Sequence, residues 1–273
     1  MPARARRADR GRDIDRMENF LLEQTVISIS PEPVPADEVL RALGMSAEIG
    51  NIGDGGCVPS ADPRLPSTSA LSATLSAISE ANRAIVGGLA IPRGVVRVVA
   101  VESIADDGIL LDSSGRMSGT FMPCKGRLYE GASHVMLAIA TIGPLLERQV
   151  KAEFDSGDPL AGVVLDAIGT ISLRSFASHI RRNCAERASL LRMEVGPRIS
   201  PGCEVMPLEA QRALFSLLDA NAIGVALSDS LLMTPLKSTS QVLPLGSNLP
   251  ARLETFSMCD ACPHRDRCAS IIL

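Results

Sequence analysis

The chain has 273 residues, of which 46% are hydrophobic and 21% charged, so it can bury a large core and has the composition of a soluble globular protein. A net charge of -4 and an aromatic content of 3% argue against non-specific nucleic-acid binding, which uses basic surface and stacking rings. With no apolar run that suggests a membrane span and no secretory signal, the seven cysteines predict a reducing, cytoplasmic location.

The first part of the chain is predicted to begin without structure. Residues 1–16 contain six Arg and three Asp with almost no apolar side chain, so we expect residues 1–19 to be a disordered basic extension before a domain at 20–256. Apolar and charged residues alternate at helical spacing from Ala36 to Leu43, and Gly44 supplies a left-handed stop, which predicts a short helix. Residues 45–67 are rich in Gly, Pro, Ser and Asp and are predicted to form a loop.

One helix and three strands are predicted next. From Thr68 the apolar residues recur every three or four positions as far as two glycines, which predicts a helix. Residues 95–104, 108–112 and 132–143 are rich in β-branched and aliphatic side chains and are bounded by glycines, which is typical of strands.

The longest predicted element is a helix from Asp158 to about Arg192. One stripe of this helix contains Val164, Ile168 and Ile171. His179 continues the stripe, and a histidine packed in the core explains it more simply than a metal ligand does.

The last third combines a helix with short strands. Pro207 lies near the first turn of a helix whose buried face is predicted to contain Ala210, Leu214, Leu217 and Leu218. Residues 222–227 are predicted to form a strand, and 228–241 a turn and loop that lead to 242–246. Because helices and strands alternate without a regular βαβ repeat, we expect an α+β fold with a sheet that is at least partly antiparallel.

Three segments taken in order resemble one family. Residues 140–170, 198–240 and the cysteine-containing tail are similar to the reactivation domain of cobalamin-dependent methionine synthase in a free-standing form, over roughly residues 20–270. The similarity is strongest in an Arg-x-x-x-Gly loop, the helix after it, and a Met-x-Pro-x-Lys-Ser run from Met233 to Ser238. The resemblance implies a central twisted, largely antiparallel sheet wrapped by helices.

The same resemblance implies a function and a site. The family binds S-adenosylmethionine beside a corrinoid and restores methylcobalamin from the inactive cobalt(II) state with one electron and a methyl group. Arg198 would pair with the ligand carboxylate, because a guanidinium offers a carboxylate two parallel hydrogen bonds. The turn formed by Ser200, Pro201 and Gly202 would present backbone to the ligand, and Lys237 belongs to the Lys-Ser motif.

The chain departs from the family pattern at informative positions. Cys203 replaces the aromatic residue of the loop, Gln241 replaces a glycine, and Arg174 stands where the family has an acid suited to the ligand ammonium. An arginine there would repel the ammonium and the sulfonium, so an altered preference for ligands is predicted. A structural explanation is also open, in which Arg198 caps a helix or pairs with Glu194 and residues 166–169 are small for helix packing.

Three functions remain in competition. In the first, the protein reactivates or reduces a cobalamin that a partner corrinoid protein or methyltransferase carries. The cobalamin is assigned to a partner because this chain has no cobalt-binding Asp-x-His-x-x-Gly motif. Alternatively, it is a non-enzymatic binding or assembly factor that has lost S-adenosylmethionine binding. A third, weaker reading makes Cys203 a nucleophile, although no histidine lies near it in sequence.

The C-terminal segment 257–273 is a candidate metal site. Cys259, Cys262 and Cys268 have the spacing C-x2-C-x5-C in a polar stretch where burial would not explain them. A four-iron cluster would take these three thiolates and a fourth ligand such as Cys203 or Cys124, and it would supply single electrons. Zinc with His264 as fourth ligand is the alternative, and a tail without metal is the third possibility.

Overall fold

The structure, a computed structural model, describes residues 24–45, 68–112 and 119–250. The described strands are β1 (Thr25–Ser28), β2 (Arg93–Ala105), β3 (Gly108–Leu111), β4 (Thr120–Pro123), β5 (His134–Thr141), β6 (Glu194–Val195), β7 (Ala226–Leu227), β8 (Met233–Thr234) and β9 (Ser238–Gly246). Seven of them form one sheet in the order β4-β3-β2-β5-β9-β6, with β1 also paired to β2, and every pairing is antiparallel. Strands β7 and β8 form a separate ribbon.

Five α-helices in the described residues pack around this sheet. They are α1 (Ala36–Ala42), α2 (Thr68–Ala84), α3 (Leu145–Ser156), α4 (Pro159–Leu190) and α5 (Ala210–Leu217). A π-helical turn, Ile85–Leu89, continues α2, and 3-10 turns lie at Gly126–Tyr129 and Ala220–Ile223. The 32-residue α4 begins after Asp158, whose carboxylate accepts a hydrogen bond from the Ala161 amide at 2.9 Å. This is the usual way in which Asp satisfies a free amide at a helix start.

Helix α4 contributes to two hydrophobic clusters. Its N-terminal half buries Val164, Ile168 and Ile171 against α1, α2 and α3. Its C-terminal half packs Phe176 and Ile180 on one face of the sheet. The helix is therefore the element that holds the helical cluster against the sheet.

The opposite face of the sheet is covered by α5 and the loops around it. Leu137 and Ile139 of β5 pack on this side with Leu214 of α5, whereas Met136 and Ala138 face α4. Successive side chains of a strand point to opposite faces, so a strand that is covered on both sides must be apolar throughout. This explains why residues 135–140 are all buried.

Most of the predicted elements are confirmed. The α+β class with an antiparallel sheet, the helices at 36, 68, 158 and 210, and the three central strands agree with the sequence prediction within a few residues. Gly44 has the expected left-handed backbone, with a φ of 72°. The expected extension at 1–19 lies outside the described residues, as does nearly all of the predicted loop 45–67.

Several details were predicted wrongly or not at all. Strand β9 begins at Ser238, inside the segment predicted to be a loop, because pairing with β5 outweighs the low strand preference of Lys, Ser and Gln. Ala222 and Ile223 belong to the 3-10 turn Ala220–Ile223, which Gly224 caps, and within 222–227 only Ala226–Leu227 form a strand. The sequence analysis did not predict β1, β4 or α3. His179 is half-buried and lines a cavity, so it is not a fully packed core histidine.

Candidate functional site

Backbone pairing with β9 positions the predicted ligand residue Arg198. The Gly196 N–H donates to the Pro244 carbonyl at 2.9 Å, and Ile199 and Val242 exchange two backbone hydrogen bonds at 3.0 and 2.8 Å. Arg198 lies between these two points and is half-buried. The edge of the sheet therefore fixes its backbone on both sides.

The predicted turn after Arg198 is present, but its amides are engaged. Gly202 has a φ of 90°, a backbone conformation that glycine adopts without strain. The Gly202 N–H donates to the Met206 carbonyl at 2.9 Å, and the Cys203 N–H donates to the Ser200 carbonyl at 3.3 Å. The Gly202 and Cys203 amides are therefore already paired within the turn. Ser200 and Pro201 are half-buried.

Cys203 packs against the hydrophobic cluster next to α5. It is half-buried and close to Tyr129, which also lies near Cys124. Burial raises the pKa of the Tyr129 hydroxyl well above its ordinary value, and the two nearby thiols act in the same direction. Burial also raises the pKa of Cys124 to about 12, so its thiol is neutral at physiological pH. The assignment of Cys203 or Cys124 as the fourth metal ligand stays a prediction.

Lys237 joins three elements at the start of β9. Its ammonium lies 2.8 Å from Asp166 Oδ1 and donates to Thr170 Oγ1 at 2.7 Å, both on α4. Its backbone N–H donates to Glu147 Oε1 on α3 at 2.7 Å, and its carbonyl accepts from Thr141 Oγ1 at 3.2 Å. The side chain is only 16% exposed, so its ammonium is held against α4 within the fold.

Arg174 lies along β9, on the face of α4 that also carries Thr170, a hydrogen-bond partner of Lys237. Thr170, Arg174 and Ala177 are four and three residues apart, which places them on one face of α4. Thr170 contacts Lys237, and the Ala177 carbonyl accepts a hydrogen bond from Gln241 Nε2 at 3.4 Å. Arg174 lies between these two contacts and is half-buried.

The predicted site residues form a row along β9. Lys237 is the residue before β9. Arg198 is the chain neighbour of Ile199, which pairs with Val242, and Val242 lies five residues after Lys237. At about 3.3 Å per residue this separates their backbones by roughly 17 Å. Ligand contact by both residues therefore requires a ligand as long as S-adenosylmethionine, whereas a small anion would contact only one of them.

Four cavities in the described part of the chain lie elsewhere. One of about 720 Å³ is lined by Arg97, Phe215 and Asp219, and others of about 420, 340 and 250 Å³ adjoin α4. The 340 Å³ cavity is lined by Glu194 and Gly196, immediately before the Arg198 loop. Arg198 itself is on the wall of none of the four, and its role as a ligand residue stays a prediction.

The network around Lys237 does not follow from the sequence motifs. The sequence places Asp166 in a small-residue helix segment and gives no role to Glu147 or Thr170. A signal was present, because Asp166 and Thr170 are spaced i, i+4 on a helix that is otherwise apolar there. The packing explanation does hold for Gly169, where a Cβ would lie 2.7 Å from Leu146 Cδ2.

The chain was compared with known proteins at the levels of sequence and structure. Neither a scan of protein-family models nor a search of curated proteins finds a match. Among solved structures, a crystal structure of the MetH reactivation domain bound to AdoHcy superimposes with a TM-score of 0.56 at 15% identity. The match covers 92% of this chain and 88% of that one. The chain has the reactivation-domain fold.

The reactivation-domain fold confirms the architecture that the resemblance implied. At 15% identity it establishes the fold and leaves the ligand and the partner to be proposed. Helix α4 of this fold is long and apolar enough to cross a membrane, but half of its most apolar 18-residue window is buried. Its packing on the sheet and on the helical cluster is that of a core helix.

The predicted metal site cannot be placed in the reactivation-domain fold. Cys259, Cys262, Cys268 and His264 all lie outside the described residues. Within the described ranges, no group of three or more His, Cys, Asp or Glu side chains could hold a metal ion. The described thiols are Cys124, Cys184 and Cys203, and burial raises the pKa of Cys184 to about 11.

Proposed function

We propose that this protein reactivates a cobalamin cofactor carried by a partner, either a corrinoid protein or a cobalamin-dependent methyltransferase. The observation that carries the proposal is the reactivation-domain fold over 92% of this chain and 88% of the neighbour. The fold is thus matched nearly end to end. Because the chain has no cobalt-binding Asp-x-His-x-x-Gly motif, the corrinoid would come from another molecule.

The proposed co-substrate is S-adenosylmethionine. The neighbour was solved with AdoHcy, which is what remains of S-adenosylmethionine after its methyl group has been transferred. In this chain Arg198 would pair with the amino-acid carboxylate of the ligand, and the edge of β9 would run beside the nucleoside. S-adenosylmethionine would supply the methyl group, and a separate donor would supply the single electron that reduces cobalt(II).

The proposed electron donor is an iron–sulfur cluster held by Cys259, Cys262 and Cys268. Their spacing suits three corners of a four-iron cluster, with zinc as the alternative metal. Anaerobic purification followed by iron, sulfide and zinc analysis tests this part on its own. Equimolar zinc without iron would assign the tail to zinc. Colourless protein without metal, and unchanged folding of a triple Cys→Ser variant at these positions, would exclude a metal there.

A second candidate function is a binding or assembly factor for the corrinoid protein that no longer uses S-adenosylmethionine. Two observations favour it. Arg174 puts a positive charge on α4 at the position where the resemblance implies an acid for the ligand ammonium. The amides of Gly202 and Cys203 are consumed within the turn, so they offer nothing to an anion.

Calorimetry with the full chain separates the two candidates. We expect S-adenosylmethionine to bind and Arg198→Ala to weaken binding by about tenfold or more, which corresponds to one charge-assisted pair. Arg148→Ala, on the exposed surface of α3, is the matched control and should bind as the parent does. Absence of binding to the parent would favour the assembly factor, and equal binding by the Arg198 variant would remove Arg198 from the site.

A further inference from the structure

A cavity on the other side of α4 is separate from the β9 edge. It has a volume of about 250 Å³ and lies between the segment that joins β1 to α1 and the middle of α4. Ile171, Ser175 and His179 belong to its helical wall. The residues of α4 that lie alongside β9 are instead Thr170, Arg174 and Ala177. The cavity therefore does not belong to the proposed S-adenosylmethionine site.

One wall of this cavity is rigid. Four of its lining residues are prolines, whose rings fix the backbone and leave no N–H to satisfy: Pro31, Pro33, Pro35 and Pro92. Between them the Val34 N–H donates to Asn82 Oδ1, and Asn82 Nδ2 donates to the Val34 carbonyl, both at 2.8 Å. This reciprocal pair anchors the wall to α2, so the cavity is preformed.

The two walls carry opposite charges over an apolar floor. Glu32 and Glu38 line the proline side, and His179 and Arg182 line the helix side, with Phe176 between them. Within the described ranges, neither glutamate nor Arg182 forms an ion pair with another described residue. Ser172, in the same wall, has a buried hydroxyl with no hydrogen-bond partner in the part of the chain that the structure describes.

We propose that this cavity binds a free α-amino acid with an apolar side chain. The carboxylate would lie against Arg182 and His179, the ammonium against Glu38 and Glu32, and the side chain on Phe176. A cavity of 250 Å³ is smaller than the usual pockets for drug-sized ligands, which begin at about 300 Å³. A zwitterion of a few heavy atoms fits both this size and the separation of charge.

The first experiment is a thermal-shift screen of the full chain with the twenty standard L-amino acids at millimolar concentration. We expect one or more of the apolar amino acids to raise the Tm, because a ligand that binds only the folded state stabilises it. The two analogues that each lack one charge, the amide of the best ligand and its N-acetyl derivative, should have no effect. A screen without any positive, or blocked analogues that act as well as the parent amino acid, would overturn the proposal.

The second experiment locates the site by calorimetry with that amino acid. Arg182→Gln and Glu38→Gln should each weaken binding by about tenfold or more, since each removes one charge-assisted contact. Arg148→Gln and Glu209→Gln, both exposed and away from this cavity, are the matched controls and should leave the affinity unchanged. Equal binding by the two cavity variants would overturn the assignment. Arg198→Ala should leave the affinity for the amino acid unchanged, which keeps this test independent of the proposed reactivation function.

Discussion

The Lys237 ammonium lies 2.8 Å from the Asp166 carboxylate, and this ion pair ties the first residue before β9 to the long helix α4. The same ammonium donates to Thr170, and the Lys237 amide donates to Glu147 on α3. Because its side chain is 16% exposed, Lys237 is shielded from water far better than an ordinary surface lysine. We therefore assign it a structural role that the family motif did not suggest.

Lys237→Met should destabilise the fold by about 1–3 kcal/mol, because it leaves the Asp166 carboxylate and the Thr170 hydroxyl without their donor. Urea denaturation followed by circular dichroism measures the difference. Lys151→Met is the matched control, since Lys151 and Asp155 form an exposed pair on α3 at 2.6 Å. Such exposed pairs contribute only about 0.3–0.5 kcal/mol. Equal losses in the two variants would contradict a special role for Lys237.

Gly169→Ala should also be destabilising, by about 1–3 kcal/mol, because the added methyl group would overlap Leu146 at the contact between α3 and α4. The equilibrium urea midpoint of the variant, or its folding and unfolding rates as a function of urea, measures this loss of stability. Gly87→Ala serves as control, since a Cβ at Gly87 meets no atom within 4 Å. If Gly169→Ala is as stable as the control, the two helices are not in close contact at this point.

Restoring the family residues should recover ligand binding. We expect the double variant Arg174→Glu, Cys203→Tyr to bind S-adenosylmethionine more tightly than the parent, because it replaces a repelling charge with an attracting one and restores the aromatic side chain. Calorimetry on the folded variant measures the change. A variant that folds but binds no better would show that these two departures did not alter the site.

The buried thiols should make stability fall at high pH. The pKa values of about 12 for Cys124 and about 11 for Cys184 lie above the ordinary 9.0, so the unfolded chain loses these protons first. Their contribution to stability is thus complete below about pH 9 and decreases as the pH rises toward 11 and 12. Urea midpoints measured from pH 8 to 10.5 should fall less steeply in the Cys124→Ala, Cys184→Ala variant. An identical slope would contradict the shifted pKa values.

The sequence by itself indicated four of the five described α-helices, the central strands and, through a resemblance, the reactivation-domain fold. Hydrophobic periodicity at 3.6 residues marked the apolar stripe of α4, and the aliphatic run at 132–143 marked β5. Both signals are local, because each element must present its apolar side chains to the core in the period of its own backbone. The ordered motifs around Arg198 and Lys237 then indicated the fold that the structural comparison confirms.

Only the tertiary structure determined which partners the polar residues have. Ser238 to Gln241 look like a loop in sequence but form the first half of β9, because β5 supplies hydrogen-bond partners that are about a hundred residues away in the chain. Lys237 belongs to a motif that the resemblance links to the ligand site, and the fold holds its ammonium against Asp166 and Thr170 and its amide against Glu147. Its contact with a ligand stays a prediction. The partner of a polar group depends on which elements the fold brings together, and no local pattern carries that information.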